Sequence, residues 1–203
     1  ARLGADAVRE LVDRSGVRLA AGGLPLDFRG AEEAYRASLE ALPALAAVAR
    51  HVGVDRCSTW IAPGSDELTF AENFAFHAQR LRPAAAVLAD SGVRLGLEYV
   101  APRTSWEPRR YRFITNQQQM AELCQAVGPN AGFLLDSWHW HCAGESVATV
   151  AGLAAAQVVD VHVNDAPAGT PTDALIDSVR ELPGETGVID IAGFLGALRR
   201  IGY

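Results

Sequence analysis

Short apolar segments alternate strictly with stretches of helical periodicity along the whole chain, and this pattern limits the folds open to it. Five segments read as strands: Val17 to Ala21, Cys57 to Ala62, Arg94 to Val100, Ala131 to Leu135 and Val158 to Val163. Helices are expected over Gly4 to Arg14, Ala31 to Val52, Thr69 to Ser91, Asn116 to Val127, Ser146 to Ala156 and Asp190 to Ile201. Thr69 is a fitting N-cap for the third of these, and Gly92 its stop. Alternation of this kind predicts an α/β fold with a parallel sheet, closed as a barrel or open and doubly wound. The chain has no GxGxxG, GxxxxGK[ST] or GxSxG, so the open-sheet readings lack their motifs and the (β/α)8 TIM barrel is preferred. Such a barrel needs ~250 residues. With five strands in 203 residues, the first two strands and the eighth are expected to fall outside this chain, and residues 1–203 to form one incomplete barrel domain.

Composition narrows the function. The chain is 49% hydrophobic and 21% charged, which is ordinary for a globular enzyme. A net charge of −6, with no Lys/Arg cluster, offers no track for a phosphate backbone and argues against nucleic acid. Cys57, Cys124 and Cys142 are odd in number, widely spaced and without a CxxC, so neither a disulfide framework nor a zinc knuckle is indicated. No apolar run approaches the ~20 residues that span a bilayer, and ARLGADAVRE has no signal-peptide core. A cytoplasmic location without membrane contact is expected.

The polar residues that interrupt or end the apolar runs carry the chemistry. AGFLLDSWHWH (131–141) ends a buried-type run in Asp136, Ser137, His139 and His141, the last two read as part of an extended segment. RLGLEYVAP (94–102) delivers Glu98, and VVDVHVNDAP (158–167) delivers His162 with Asn164 and Asp165 after it. Glu98, Asp136 and His162 are 38 and 26 residues apart, spacings that suit successive βα units converging on one open end of a barrel. Two carboxylates and a neutral imidazole meeting at one point suit Mn²⁺, Mg²⁺, Co²⁺ or Zn²⁺. Each residue also has a plain structural reading: Glu98 paired with an arginine of the next loop, Asp136 capping a turn, His162 a satisfied core histidine. Trp60, at a strand end, is the preferred aromatic wall of such a site. The loop Ala101 to Arg112 holds Trp106 and four Arg, and its length is that of a lid or binding loop.

Taken in order, LGLEYVAP, GFLLDSWHWH, VVDVHVND and RELPGETGVIDIAGFLGALRRIGY resemble the sugar phosphate isomerase/epimerase family of xylose isomerase-like TIM barrels. That group includes tagatose/psicose epimerases, inosose isomerases and dehydratases, and zinc AP endonucleases. The resemblance covers essentially the whole chain. It implies a divalent metal held by Glu, Asp, His and Glu from the last four strands, the first three falling on Glu98, Asp136 and His162. The fourth ligand has no counterpart before Tyr203. The resemblance also places His139 and Arg180 on the substrate, with His141 behind them or in loop packing. The implied partner is a small sugar, sugar phosphate or cyclitol, and a homo-oligomer is in keeping with look-alikes.

The implied reaction removes a proton from a carbon beside a carbonyl, with the metal stabilising the enediolate and Glu98 moving the proton. A dehydratase on the same site is the alternative, since an enediolate can expel a β-hydroxyl. A zinc AP endonuclease needs further His on earlier strands and an Asp-x-His after the His162 position; both are absent. A non-catalytic barrel that serves as a binding partner is the remaining reading.

Overall fold

The structure, a computed structural model, describes residues 3–203. α1 (Ala5–Ser15) stops at Gly16, whose φ of 67° lies in the left-handed region that glycine enters without a Cβ clash. β1 (Gly22–Gly23) leads to α2 (Glu32–His51), and β2 (Arg56–Ile61) to the two-residue β3 (Gly64–Ser65). α3 (Phe70–Asp90) opens with a capping box, Thr69 accepting the Glu72 amide while the Glu72 carboxylate accepts the Thr69 amide. β4 (Arg94–Tyr99), α4 (Arg103–Trp106), β5 (Tyr111–Arg112) and α5 (Gln117–Val127) follow. β6 (Ala131–Asp136) then runs straight into α6 (Ser137–Cys142), and α7 (Val147–Ala151), β7 (Val158–His162) and α8 (Ile191–Ile201) complete the order.

β1, β2, β4, β6 and β7 form one all-parallel sheet in that order. Leu95, Leu97 and Tyr99 of β4 and Phe133 and Leu135 of β6 are buried in one core with Leu81 and Leu88 of α3 and Leu123 of α5. That helical cover is why the strands are nearly continuous apolar runs.

The sheet curls as a barrel wall does. A flat sheet would set β2 and β7, three places apart, about 14 Å from each other. Instead, Ser58 of β2 donates to Asp160 of β7 at 3.3 Å, and Arg56 donates to the Val159 carbonyl at 2.9 Å. Gly96 keeps the interior narrow: a Cβ there would lie 3.2 Å from the Ser58 Cβ and 3.4 Å from that of Val159. The described residues thus supply five parallel strands of a TIM-type barrel.

Three local expectations need correction. Val17 to Ala21 is not a strand; the first strand is the Gly22–Gly23 pair, and Val17 and Leu19 are exposed. The helix expected to Ala156 ends at Ala151, with Gly152 as its cap and a 3₁₀ turn at Ala155–Gln157 before β7. The polar segment after β6 is helical rather than extended. In addition, β3 and β5 pair antiparallel, Gly64 opposite Arg112, which ties the loop after β2 to the long Arg-rich loop at the same end. Among the described residues no helix is long and apolar enough to cross a membrane.

Candidate active site

The polar groups gather where the strands end, in two register pairs. Trp60 of β2 lies beside Glu98 of β4, and Asp136 of β6 beside His162 of β7. Side chains two apart share a face, so Glu98 points inward on the face that Gly96 leaves open. One ligand atom from each of Glu98, Asp136 and His139 lies within 4.8 Å of the other two. His162 reaches the same carboxylate, with Nδ1 3.8 Å from the Glu98 Oε1, but is half-exposed. Ligand bonds of ~2.0–2.2 Å put neighbouring donors ~3–4 Å apart, so small side-chain movements would close this set on one cation.

Asp136 fulfils its structural reading, and its second oxygen faces the arginine loop. Its Oδ1 accepts the Trp138 amide at 2.9 Å and so caps α6, while Oδ2 accepts from Arg180 at 2.8 Å. The Asn164 carboxamide donates to both oxygens at 3.3 and 3.4 Å, and Asn164 is itself held by Ser137, which donates to its carbonyl at 2.8 Å. Arg180 also donates to Asp177 at 2.9 Å and lies over the Trp138 ring. Glu98 takes no arginine from the loop after it; its ion-pair neighbours are His139 and His162.

His139 has a donor at each ring nitrogen: the Ala101 amide lies 3.3 Å from Nδ1 and the Arg180 guanidinium 3.4 Å from Nε2. Nε2 also faces Glu98 at 4.0 Å and Asp177 at 3.8 Å. A metal ion would therefore have to displace one of these donors to reach a His139 lone pair. Among the described residues, neither nitrogen of His162 accepts from such a donor. His141, two residues on along the helix, turns to a different face and is partly exposed.

Burial pushes the Glu98 carboxyl up to about 8, and the nearby Asp136 charge adds to that rise. Burial likewise holds His139 down to about 4, against the pull of Asp136 and Asp177. Burial works against the Arg180 charge, but Asp136 and Asp177 outweigh it and raise its pKa. The largely buried Glu98 faces the buried Asp136, and the one guanidinium at hand pairs with Asp136 and Asp177, an excess of negative charge that a divalent cation fits.

A cleft of about 610 Å³ opens above these groups, lined by Trp60, Glu98, Thr104, Ser105, Arg109, His139, Asp177 and Arg180 among others. A second cleft of about 570 Å³, by α1 and the start of β2, holds Arg9, Arg56 and Tyr203 but neither Glu98 nor Asp136. The six residues proposed from the sequence, Glu98, Asp136, His162, His139, Arg180 and Trp60, sit at the strand ends or cleft; of the three expected ligands, His162 alone stands outside the tightest cluster. Trp60 is about half-exposed, and Arg29 stacks its guanidinium on the ring at 4.2 Å while donating to the Trp60 carbonyl. Sequence reasoning missed Asp177, Asn164 as a donor to Asp136, and Arg29. Asn164 had a signal in its place beside His162; Asp177, in an unpatterned loop, had none.

Fold and site together define an α/β barrel with a candidate divalent-cation centre at the C-terminal ends of its strands. The chain belongs to the xylose isomerase-like TIM barrel family, whose sequence profile matches residues 1–203. It is similar to the inosose isomerase of Bacillus velezensis, 29% identical over 114 residues, a stretch that makes up 55% of this chain and 37% of that protein. A xylose isomerase domain protein from Alicyclobacillus acidocaldarius superposes with a TM-score of 0.92 at 33% identity, over 98% of this chain and 70% of that one. The IOLI protein, solved with a bound zinc atom, superposes with a TM-score of 0.76 at 19% identity, over 97% of this chain and 69% of that one.

Proposed function

We propose that this chain carries the active site of a divalent-metal-dependent isomerase or epimerase acting on an uncharged sugar or cyclitol. The observation that carries the reading is the pair Glu98 and Asp136, one carboxylate largely buried and the other fully so, beside two imidazoles at the barrel mouth. The similarity to an inosose isomerase and to a zinc-bound barrel supports it. Glu98, Asp136 and His162 would hold the ion; His139 lies in the same cluster, but its two ring nitrogens already face the Ala101 amide and the Arg180 guanidinium. When bound, a divalent cation supplies Lewis-acid stabilisation for the negative charge that develops on a substrate oxygen.

Glu98 takes the proton from the carbon beside the carbonyl. In the metal-free protein burial raises Glu98 from the ordinary carboxylate range to about 8, and beside a bound cation it would return toward the ionised form that can accept a proton. The His139 imidazole and the Arg180 guanidinium bind substrate hydroxyls, and Trp60 forms an apolar wall. The arginines that line the cleft are already paired, Arg180 with Asp136 and Asp177 and Arg109 with Asp66. That pairing favours a neutral polyol over a phosphorylated one.

The test is proton exchange. The Mn²⁺-loaded protein, incubated with inosose and with ketohexoses in deuterated water, is expected to incorporate deuterium at the carbon next to the carbonyl, read by proton NMR. Absence of exchange at every carbon across the panel overturns the reading. Loss of a β-hydroxyl with an ultraviolet-absorbing enone assigns the dehydratase instead.

A further inference from the structure

We propose that Asp165 is a positioning residue for this site: it fastens the loop that presents Arg180 and Asp177 to Asp136 and His139. The kinetic part of the proposal rests on the isomerase reading; the structural part does not.

Asp165 follows His162 by three residues and is fully buried. Among the described residues no cationic side chain pairs with it. Its Oδ1 accepts the amides of Ala166 at 2.8 Å and Ile189 at 2.9 Å, and its Oδ2 those of Thr186 at 3.1 Å and Gly187 at 2.8 Å. Its own backbone exchanges two hydrogen bonds of 2.9 Å with Glu181, the neighbour of Arg180. Burial alone would raise this carboxyl, but the converging amides hold it well below the ordinary carboxylate range, so it remains an anion for the loop to wrap. The Thr186 hydroxyl closes the clasp by donating to the Ala166 carbonyl at 2.6 Å.

The loop has little else to hold it. Between Leu175 and Ile189, which are buried, Ile176, Val179 and Leu182 are 54, 49 and 73% exposed. With so little apolar packing, loop position is set by polar bonds, and the densest set belongs to Asp165. The chain of contact is short: Asp165 grips Glu181, Arg180 adjoins it, and Arg180 donates to Asp136 at 2.8 Å and to Asp177 at 2.9 Å. Residues 162–165 thereby serve three groups at once: His162 faces Glu98, Asn164 donates to Asp136, and Asp165 holds the arginine loop.

A double-mutant cycle tests this. Asp165→Asn keeps the shape but replaces one acceptor oxygen by an NH₂ group that cannot take the amides it faces. Four proteins are compared in the full chain: wild type, D165N, R180M and the double variant. In the metal-free proteins the urea midpoint is expected to fall on D165N, and to fall by less than half as much when Arg180 is already Met. With Mn²⁺ and the substrate found in the exchange panel, kcat/KM is expected to drop at least tenfold on D165N and less than a further twofold in the R180M background. Zn²⁺ affinity by calorimetry is expected to stay within threefold of wild type. Equal losses in both backgrounds overturn the proposal, because Asp165 would then act without Arg180. If wild type turns over nothing, the isomerase reading fails while the urea cycle still decides this one. If D165N does not fold, Thr186→Val, which removes only the hydroxyl strap, is run through the same cycle with the same criterion.

Discussion

Arg180 donates to Asp136 at 2.8 Å, and Asp136 in turn faces Glu98 across the candidate site with only 1% of its side chain exposed. One guanidinium thus offsets negative charge that two buried carboxylates cannot share comfortably. Replacing Arg180 by Met removes that offset. Breaking a fully buried pair costs ~3–5 kcal/mol. Because 23% of the Arg180 side chain is exposed, solvent screening brings the expectation to roughly 1–2 kcal/mol in the metal-free protein. Urea unfolding reads it, and a midpoint equal to wild type refutes it. The same variant is expected to bind Zn²⁺ at least as tightly as wild type, since a cation that competes for Asp136 is gone.

The two imidazoles are predicted to separate binding from turnover. The His139 ring nitrogens face the Ala101 amide and the Arg180 guanidinium, whereas His162 turns Nδ1 to Glu98 at 3.8 Å with no such donor on it among the described residues. His162→Ala is therefore expected to weaken Zn²⁺ binding by two orders of magnitude or more. His139→Asn is expected to change it less than about tenfold, the effect typical of an outer-shell partner, while abolishing exchange of substrate protons. Calorimetry on both variants checks this; the reverse order of affinities sinks the ligand assignment.

Much of this arrangement was legible in the sequence, for reasons that particular residues make plain. β2, β4, β6 and β7 announce themselves because buried parallel strands must be apolar throughout, and a Glu98 or Asp136 in such company stands out. β1 was illegible because its two residues are glycines, which carry no side chain to mark a pattern. α6 was misread because its sequence, SWHWHC, is short and has no apolar stripe; its start is set by the Asp136 cap, a tertiary arrangement. Arg180 was reached by resemblance alone and Asp177 not at all. Their loop has no periodicity, and its course is set by a buried carboxylate twelve or more residues earlier in the chain.

Trp60 offers a test of the cleft wall. Arg29 stacks on the ring at 4.2 Å, and the side chain, 49% exposed as a residue, has little of the core to lose. Trp60→Ala is expected to raise KM for a sugar or cyclitol about tenfold, the worth of roughly 1.4 kcal/mol, with a smaller effect on kcat. Its urea midpoint is expected to stay near that of wild type. A change confined to kcat would place substrate elsewhere.

The pH dependence of the metal-free protein follows from Glu98 and His139 together. Glu98 rises from an ordinary 4.5 to about 8 on folding, so between those values the folded protein keeps a proton that the unfolded chain has lost. Stability from this group therefore falls as pH rises, by at most ~1.4 kcal/mol per pH unit for one proton. His139 moves the other way, from 6.5 to about 4, so in that window the unfolded chain binds the extra proton and stability falls as pH drops. The two slopes oppose each other between 4.5 and 6.5 and nearly cancel there. Above 6.5 only Glu98 acts, and stability is expected to decline up to about pH 8. Glu98→Gln has no proton to lose and is expected to abolish that decline. Saturating Zn²⁺ is expected to do the same in wild type, because a bound cation favours the ionised carboxylate. Urea midpoints at pH 6.5 and 8 decide the matter: a decline of equal size in E98Q would assign the slope to some other group and remove the electrostatic basis for Glu98 as the proton-transfer residue.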